Sequence, residues 1–301
     1  MKKDKRGSTL KRVTQTKHTK LANDALYYIY QYIDSDINID TLCDELDVSR
    51  FHLQRLFKEQ MGMNIYETIK SIRLQKASNL LITNQGSTIT EVANMCGYSS
   101  QTSFIRAFKE RFVVTPNVWR KGGYKSYAES IVQSSPTAAR STVSFKHLEA
   151  KIVKTKATKL YYIRHRGYSP KVKQVWQKLQ AWVYTNNIEK YQSFGLYHDN
   201  PIVTPLEQCY YVAGIEVQEA CDLVNTSLPS ITIPAGLYAT FEVEGKYGDI
   251  LRLIQWAYHE WLPNSGYETT TSPSYTRFKK NHFLEDDERF EVVYYLPVRL
   301  G

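Results

Sequence analysis

An internal repeat restricts the fold of this chain more than any other feature of its sequence. Residues 39–48 recur fifty residues later as residues 89–98, and residues 53–58 recur fifty-one residues later as residues 104–109. Each copy has the pattern of a short helix, a tight turn and a longer helix whose exposed face is rich in basic and amide side chains, which is typical of a helix-turn-helix. Two such units joined by a rigid helix would present two reading helices about one duplex turn, ~34 Å, apart.

The segment that carries the repeat is predicted to be helical throughout, from Asn23 to about Ser126. Asn23 or Asp24 can cap its first helix, and a long connecting helix is expected over residues 64–82. Thr88 and Glu91 have the spacing of a capping box. Because a single core rarely grows beyond roughly 250–300 residues, a chain of 301 residues is expected to add a second domain.

Charge divides the chain in the same way. The net charge is +9, and residues 1–160 hold 26 basic against 14 acidic residues, whereas residues 161–301 hold 13 against 16. The later part contains 15 of the 23 tyrosines and four of the five tryptophans. The basic part is suited to an anionic partner such as nucleic acid, and the aromatic part to a cleft for an apolar or cationic ligand.

The remaining segments complete the domain plan. Residues 1–19 are predicted to be a flexible basic arm, and residues 124–147 a linker with at most one short helix. From residue 148 to residue 301, strand and helix patterns alternate and then repeat in the same order. A duplicated β-α-β-β unit folds most simply into an antiparallel sheet packed by helices on one side. The expected fold class is therefore α + (α+β).

Residues 20–123 resemble the AraC/XylS family of bacterial transcription regulators, closest to its MarA, SoxS and Rob branch. The resemblance lies in the motifs at residues 49–58, 89–101, 104–109 and 115–120. Val113 stands near a position where many members have glycine, and Cys43 replaces a usual alanine. The resemblance implies a double helix-turn-helix domain that binds double-stranded DNA at promoters.

The chemistry of the exposed helix faces agrees with that implication. Arginine can donate two hydrogen bonds to guanine, and glutamine can pair with adenine. Serine and lysine side chains at such positions contact phosphate, which gives affinity without sequence choice. His52 has either a DNA-contacting or a structural role. The candidate base-reading residues are Arg50, Gln54, Arg55, Gln101, Thr102 and Arg106, and the candidate phosphate contacts are Ser49, Lys58, Ser100 and Lys109.

Residues 148–301 resemble the GyrI-like effector-binding domain. The motifs are residues 194–201, 233–238, 261–267 and 295–298. The resemblance implies a groove for a small hydrophobic or cationic effector, and many such domains place a buried glutamate there. In this sequence Thr276 occupies the expected glutamate position.

A threonine hydroxyl neither holds a cation well nor acts as a base, so another carboxylate would have to replace the usual glutamate. Glu216 or Glu242, on neighbouring predicted strands, can serve as that replacement. Phe194, Tyr197, Trp256 and Tyr275 are candidate lining residues for which packing in the core is an equal alternative.

Other function classes leave little trace in the sequence. No apolar run reaches the roughly 18 residues of a membrane span, no secretory signal follows the basic N-terminus, and the four cysteines form no CxxC pair. We expect a cytoplasmic regulator with no cofactor, no metal and no membrane partner, for which RNA polymerase is a further candidate partner. The alternatives are a GyrI-like hydrolase of small electrophilic compounds tethered to DNA, against which Thr276 argues, and a protein-interaction module.

Overall fold

The computed structural model describes the backbone of residues 4–218 and 228–301 and the side chains of residues 17–218 and 228–301; Cys221 lies outside these ranges. The first part of the chain is helical. Its helices are α1 (Asp4–Tyr32), α2 (Ile39–Leu46), α3 (Arg50–Met61), α4 (Ile65–Thr83), α5 (Ile89–Met95), α6 (Gln101–Phe112), α7 (Pro116–Val118, continued by a π turn over Trp119–Gly123), α8 (Tyr124–Gln133) and α9 (Pro136–Ala139).

Capping residues fix several of these helix boundaries. Asn64 and Glu67 form a reciprocal capping box at the start of α4, which begins where the sequence predicts. Thr88 and Glu91 form the predicted capping box at the start of α5. Each box satisfies backbone N–H groups that a helix start leaves without partners.

The second part is an antiparallel sheet with helices. Its nine described strands are β1 (Lys151–Thr155), β2 (Thr158–Arg166), β3 (Tyr191–Tyr197), β4 (Tyr210–Val217), β5 (Ser230–Ile233), β6 (Gly236–Lys246), β7 (Tyr267–Thr269), β8 (Ser274–Lys280) and β9 (Arg289–Leu300). They are arranged in the order β1-β6-β9-β8-β3-β4-β2-β5, and β7 pairs with β9. The helices are α10 (Val172–Thr185) and α11 (Asp249–Trp256), the latter continued by turns to Asn264.

Helices α10 and α11 cover one face of the sheet, called here the helix-covered face. Trp176 of α10 packs on Phe278 at 5.4 Å between ring centroids, and Trp256 of α11 packs on Phe241 at 5.5 Å. The opposite face, called the open face, carries its own apolar cluster. The members of that cluster are Leu160, Tyr162, Phe194, Leu196, Val212, Ile233, Tyr238 and Tyr275. The predicted antiparallel sheet with helices on one side is confirmed at this level.

Two separate cores lie beneath the helical part. The first-unit core holds α1 to α3 against the start of α4, and its members are Ala22, Ala25, Leu26, Ile29, Ile33, Ile37, Leu42, Leu53, Leu56, Phe57, Met61, Ile65, Ile69 and Ile72. The shared core begins at Leu74 in the same helix α4, includes Phe104 and Phe108 of α6, and continues without a break to Val298 of the sheet.

The start of the first helix differs from the prediction. Helix α1 begins at Asp4 and passes through Asn23 instead of starting there, so part of the predicted arm is helical. Asn23 does not cap a helix because its side chain is used elsewhere. Its amide donates to Tyr162 Oη at 2.9 Å, and its carbonyl oxygen accepts from Arg164 at 2.8 Å.

The segment predicted as a linker also has more structure than expected. It forms two helices, α8 and α9, and Ala128 and Val132 of α8 are completely buried in the shared core. Arg252 of α11 joins both helices to the sheet domain, since it bonds Glu129 Oε2 at 2.7 Å and Ala138 O at 3.0 Å. These partners lie more than a hundred residues away, so local composition gave no sign of them.

Among the described residues, no helix is both long and apolar enough to cross a membrane.

Candidate functional site

The two repeat copies fold into two matching helix-turn-helix units. In the first unit α2 leads through Asp47, with φ of 49°, to α3; in the second α5 leads through Gly97, with φ of 72°, to α6. Asp47 and Gly97 are fifty residues apart, so the repeat extends to the left-handed residue of the turn. Ser49 and Ser100 cap the two longer helices through their hydroxyl oxygens. Their contact with phosphate stays a prediction.

The predicted DNA-contacting side chains project outward from α3 and α6. Leu53, Leu56 and Phe57 turn one side of α3 into the first-unit core, which leaves the other side exposed. The exposed set is Arg50, Gln54, Arg55 and Lys58 on α3, together with Gln101, Thr102, Arg106 and Lys109 on α6. His52 is half-buried and its ring lies 5.6 Å from that of His18, so it contributes to packing as well.

Most of these side chains border one groove. It has a volume of about 1070 Å³, lies between α3 and α6, and is lined from both units. The predicted residues on its walls are Gln54, Arg55, Lys58, Ser100, Thr102 and Arg106. Arg50 instead forms a 3.0 Å ion pair with Asp40. Both of those side chains are largely exposed, so DNA can replace the pair at little cost.

The groove also contains residues that the sequence analysis missed. Phe51 and Tyr66 line it with exposed fractions of 76% and 75%, and Lys70 and Arg73 of α4 line its floor. Phe51 is apolar but does not share the helical spacing of the buried residues Leu53, Leu56 and Phe57. This departure from the helical pattern is the sequence signal that marks Phe51 as exposed. Lys70 bonds Glu110 at 2.9 Å and thereby joins α4 to α6.

The seven predicted effector-binding residues do not come together. Tyr197, Trp256 and Thr276 lie on the helix-covered face, where aromatic rings fill the space. Tyr197 packs against Tyr211 at 5.7 Å, and burial raises the pKa of Tyr197 far above its ordinary value. Thr276 is completely buried, and its hydroxyl donates to the carbonyl of Gly195 at 3.3 Å.

Phe194 and Tyr275 belong to the open face, and their rings lie 6.0 Å apart. The two candidate carboxylates are less suited to replace a buried glutamate. Glu242 is exposed and bonds Lys279 at 2.9 Å, which lowers the pKa of its carboxyl group. Glu216 is half-buried and lies opposite Gln192 in the antiparallel register of β3 and β4.

Helix α1 packs across the open face and encloses a cavity of about 480 Å³ there. The cavity is lined by Tyr27 and Tyr30 from the helix and by Leu196, Ile231 and Pro234 from the sheet domain. No local sequence pattern indicates this cavity, because its two walls lie far apart along the chain.

The helical and sheet parts also meet through polar contacts of α4 and α6. Gln75 of α4 donates to Asp199 Oδ1 at 3.3 Å and accepts from the backbone N–H of Asn200 at 2.9 Å. Arg111 of α6 donates to Thr204 Oγ1 at 2.9 Å. Burial raises the pKa of Asp199, and the backbone N–H of Tyr210 together with Arg111 opposes that shift.

Comparison with known proteins identifies both parts. Residues 148–299 match the profile of the GyrI-like small molecule binding domain, and residues 42–122 match a helix-turn-helix domain profile. The xylose operon regulatory protein of Escherichia coli K12 is 36% identical over 96 residues, which are 32% of this chain and 24% of that protein. The chain therefore matches about a quarter of the length of that relative.

Two further relatives match the helical part. The Probable transcription factor PqrA of Proteus vulgaris is 34% identical over 105 residues, which cover 34% of this chain and 85% of that protein. The C-terminal domain of AraT, a response regulator from Geobacillus stearothermophilus, is 30% identical, with 34% of this chain and 84% of that chain covered and a TM-score of 0.33.

Proposed function

The chain belongs to the AraC/XylS family of transcription regulators and carries a GyrI-like small molecule binding domain, and from this premise we propose that it reads promoter DNA with α3 and α6 under control of a small molecule. The observation that carries the proposal is the shared groove, because Arg55 of one unit and Arg106 of the other open onto the same space. Both have the donor geometry that reads guanine.

A selection experiment tests the DNA-binding part. The full chain is used to select duplexes from a random pool, and affinity is then measured on a selected duplex and on a random duplex of equal length. Arg55→Ala or Arg106→Ala should cost ~1–3 kcal/mol on the selected duplex and much less on the random one. Lys58→Ala and Lys109→Ala are the matched controls, since loss of a phosphate contact weakens both duplexes alike and lowers the salt slope by about one.

The proposal fails if the selection returns no preferred sequence. It also fails for the named residues if the arginine variants weaken both duplexes equally.

The nature of the effector follows from the placement of the carboxylates. Glu242 is ion-paired at the surface, Glu216 is half-buried, and Thr276 is buried under aromatic rings. This arrangement favours a hydrophobic effector over a cationic one. The names of the relatives, which are regulators and transcription factors, favour regulation over hydrolysis. We further propose a cytoplasmic location and contact with RNA polymerase.

We also propose that the sheet domain arose from a duplicated β-α-β-β unit. The central strand order β6-β9-β8-β3-β4-β2 supports this, because it is mirrored about its centre. Each half contains the strand before a helix and two strands from after that helix, and the short strand β7 lies outside this order. Helices α10 and α11 follow β2 and β6 at equivalent places.

A further inference from the structure

We propose that the cavity between α1 and the open face is the effector site, that it accepts a neutral molecule of two or three aromatic rings, and that α1 transmits its binding to the first reading helix. This inference rests on the proposed function and names the site at which it operates. The cavity volume of about 480 Å³ lies within the roughly 300–1,000 Å³ typical of small-molecule sites.

The walls of the cavity determine the class of ligand. Leu196, Ile231 and Pro234 form an apolar surface on the sheet side, and Tyr27 and Tyr30 present aromatic rings on the helix side. Such surfaces bind flat apolar rings through hydrophobic contact and stacking. Polar groups on the rim, including Gln31, Thr232 and Ser272, can bond a ligand hydroxyl or amine.

The charges at the cavity favour a neutral ligand. Lys20 and Asp24 both line it, are exposed, and stand four residues apart on one side of α1. Partial desolvation by neighbouring protein atoms raises the pKa of Asp24, and the nearby Lys20 opposes that shift. Because the two side chains carry opposite charges, a ligand with net charge gains attraction to one and repulsion from the other.

Polar contacts hold the cavity walls at both ends. At one end Asn23 bonds Tyr162 Oη at 2.9 Å and the carbonyl of Ser230 at 3.2 Å. Two helical turns further on, Tyr30 Oη donates to the carbonyl of His198 at 3.3 Å, and the hydroxyl of Thr271 donates to the carbonyl of Tyr30 at 2.8 Å. The helix is therefore fixed on both sides of the space, so the cavity exists before a ligand enters.

The other side of the same helix supports the first reading helix. Ala22, Ala25 and Ile29 of α1 share the first-unit core with Leu53 and Phe57 of α3. A ligand in the cavity thus contacts a helix that packs directly on α3. If the ligand changes the affinity for DNA through this contact, DNA must change the affinity for the ligand by the same factor.

Fluorescence titration with N-phenyl-1-naphthylamine, a neutral aromatic probe, tests the site in the full chain. Tyr27→Ala should weaken probe binding about tenfold, because it removes one aromatic wall. Tyr32→Ala is the matched control: Tyr32 lies on the same helix, is 41% exposed against 48% for Tyr27, and does not line the cavity. It should change the probe's Kd by less than about twofold.

Substitution of a charged residue at the cavity shows whether the site prefers a neutral or a charged ligand. Asp24→Asn should leave the Kd of the neutral probe nearly unchanged and should tighten binding of the anionic probe 8-anilinonaphthalene-1-sulfonate. Addition of a selected duplex should shift the neutral probe's Kd by the factor by which the probe shifts duplex affinity.

Three results would overturn the inference: no saturable probe binding, an equal effect of Tyr27→Ala and Tyr32→Ala, or loss of binding in Tyr197→Phe but not in Tyr27→Ala. The last result would place the ligand on the helix-covered face. The proposed function is tested independently by the sequence preference of the arginine variants, so its failure is distinguishable. Duplex affinity and circular dichroism of Tyr27→Ala verify that the variant is folded.

Discussion

The two helix-turn-helix units match in sequence and differ in their neighbours. The first unit closes its own core between α1, α3 and the start of α4. The second unit, around α5 and α6, continues into the shared core, which extends through α8 to the sheet domain. Helix α4 contributes Ile72 to one core and Leu74 to the other.

This difference suggests a division of labour. The second reading helix is part of the same packed body as the sheet, so its position is fixed. The first reading helix meets the sheet domain through α1, across a cavity and two sets of polar contacts, and at its own end, where Gly62 lies against Tyr210. We therefore propose that a ligand shifts one reading helix relative to the other, because the spacing of the two helices decides which duplexes fit.

The largest expected effects come from removing equivalent phenylalanines. Phe57 and Phe108 occupy matching places in the repeat, and both are completely buried. Either change to alanine should cost ~3–5 kcal/mol. All five tryptophans lie at residue 119 or later, so tryptophan fluorescence does not report on the first unit. In urea titrations Phe108→Ala should strongly lower the midpoint of the fluorescence transition. Phe57→Ala should leave that midpoint unchanged and should lower only the midpoint of the helix loss measured by circular dichroism.

Equal shifts of the fluorescence transition in both variants would mean that the two cores unfold as one, which would contradict the comparison.

Acid should weaken the body that contains the second unit. Burial lowers the pKa of His198, of His259 and of His282 to about 3. In the unfolded chain a histidine takes up its proton below about pH 6.5, while the folded chain resists protonation until about pH 3. Stability is therefore complete above pH 6.5 and falls as the pH drops, by ~1.4 kcal/mol per pH unit for each fully buried histidine.

Urea midpoints by tryptophan fluorescence between pH 7.5 and pH 5 measure this slope. His282→Leu should remove about a third of the slope attributed to the three histidines. An unchanged slope in that variant would exclude His282 as a source of the pH dependence.

Helix ends provide the smallest expected effect. Gly62 ends α3 with φ of 70°, and Val113, fifty-one residues later, ends α6 with φ of 66°. A branched residue in this left-handed region is strained by ~1–2 kcal/mol. Replacing it with glycine relieves this strain, but part of the relief is lost because glycine gives up more backbone entropy on folding. Val113→Gly should therefore stabilise the second unit by roughly 0.5–1 kcal/mol.

The opposite change, Gly62→Ala, should destabilise the first unit, because alanine is strained at a φ of 70° and because its Cβ atom would lie 2.1 Å from Tyr210 Oη, which must then move. Thermal unfolding measures both variants. A destabilising Val113→Gly would show that the valine makes a contact worth more than its strain.

Local rules in the sequence were sufficient for the helices of the two repeat units. The capping box of Thr88 with Glu91 and the cap at Asn64 place α5 and α4, because the chemistry of a helix start depends only on residues within one turn. The outward faces of α3 and α6 follow from helical periodicity in the same way.

The rest depends on contacts between distant residues. Helix α8 is buried through partners such as Arg252, and α1 continues through Asn23 because Tyr162 and Arg164 bind that side chain. Strand parity divided the predicted effector residues between two faces, which spacing alone did not reveal. The cavity exists only where α1 meets the sheet, so no local pattern indicates it.

Hydrogen exchange of the full chain, with and without N-phenyl-1-naphthylamine, shows whether the first unit meets the sheet domain at a ligand cavity while the second unit is fused to it. Amide exchange should become slower in α1 and α3 when the probe is bound, with exchange in α5 and α6 unchanged. Protection that appears in α5 and α6 instead, or in neither unit, would show that this arrangement is wrong.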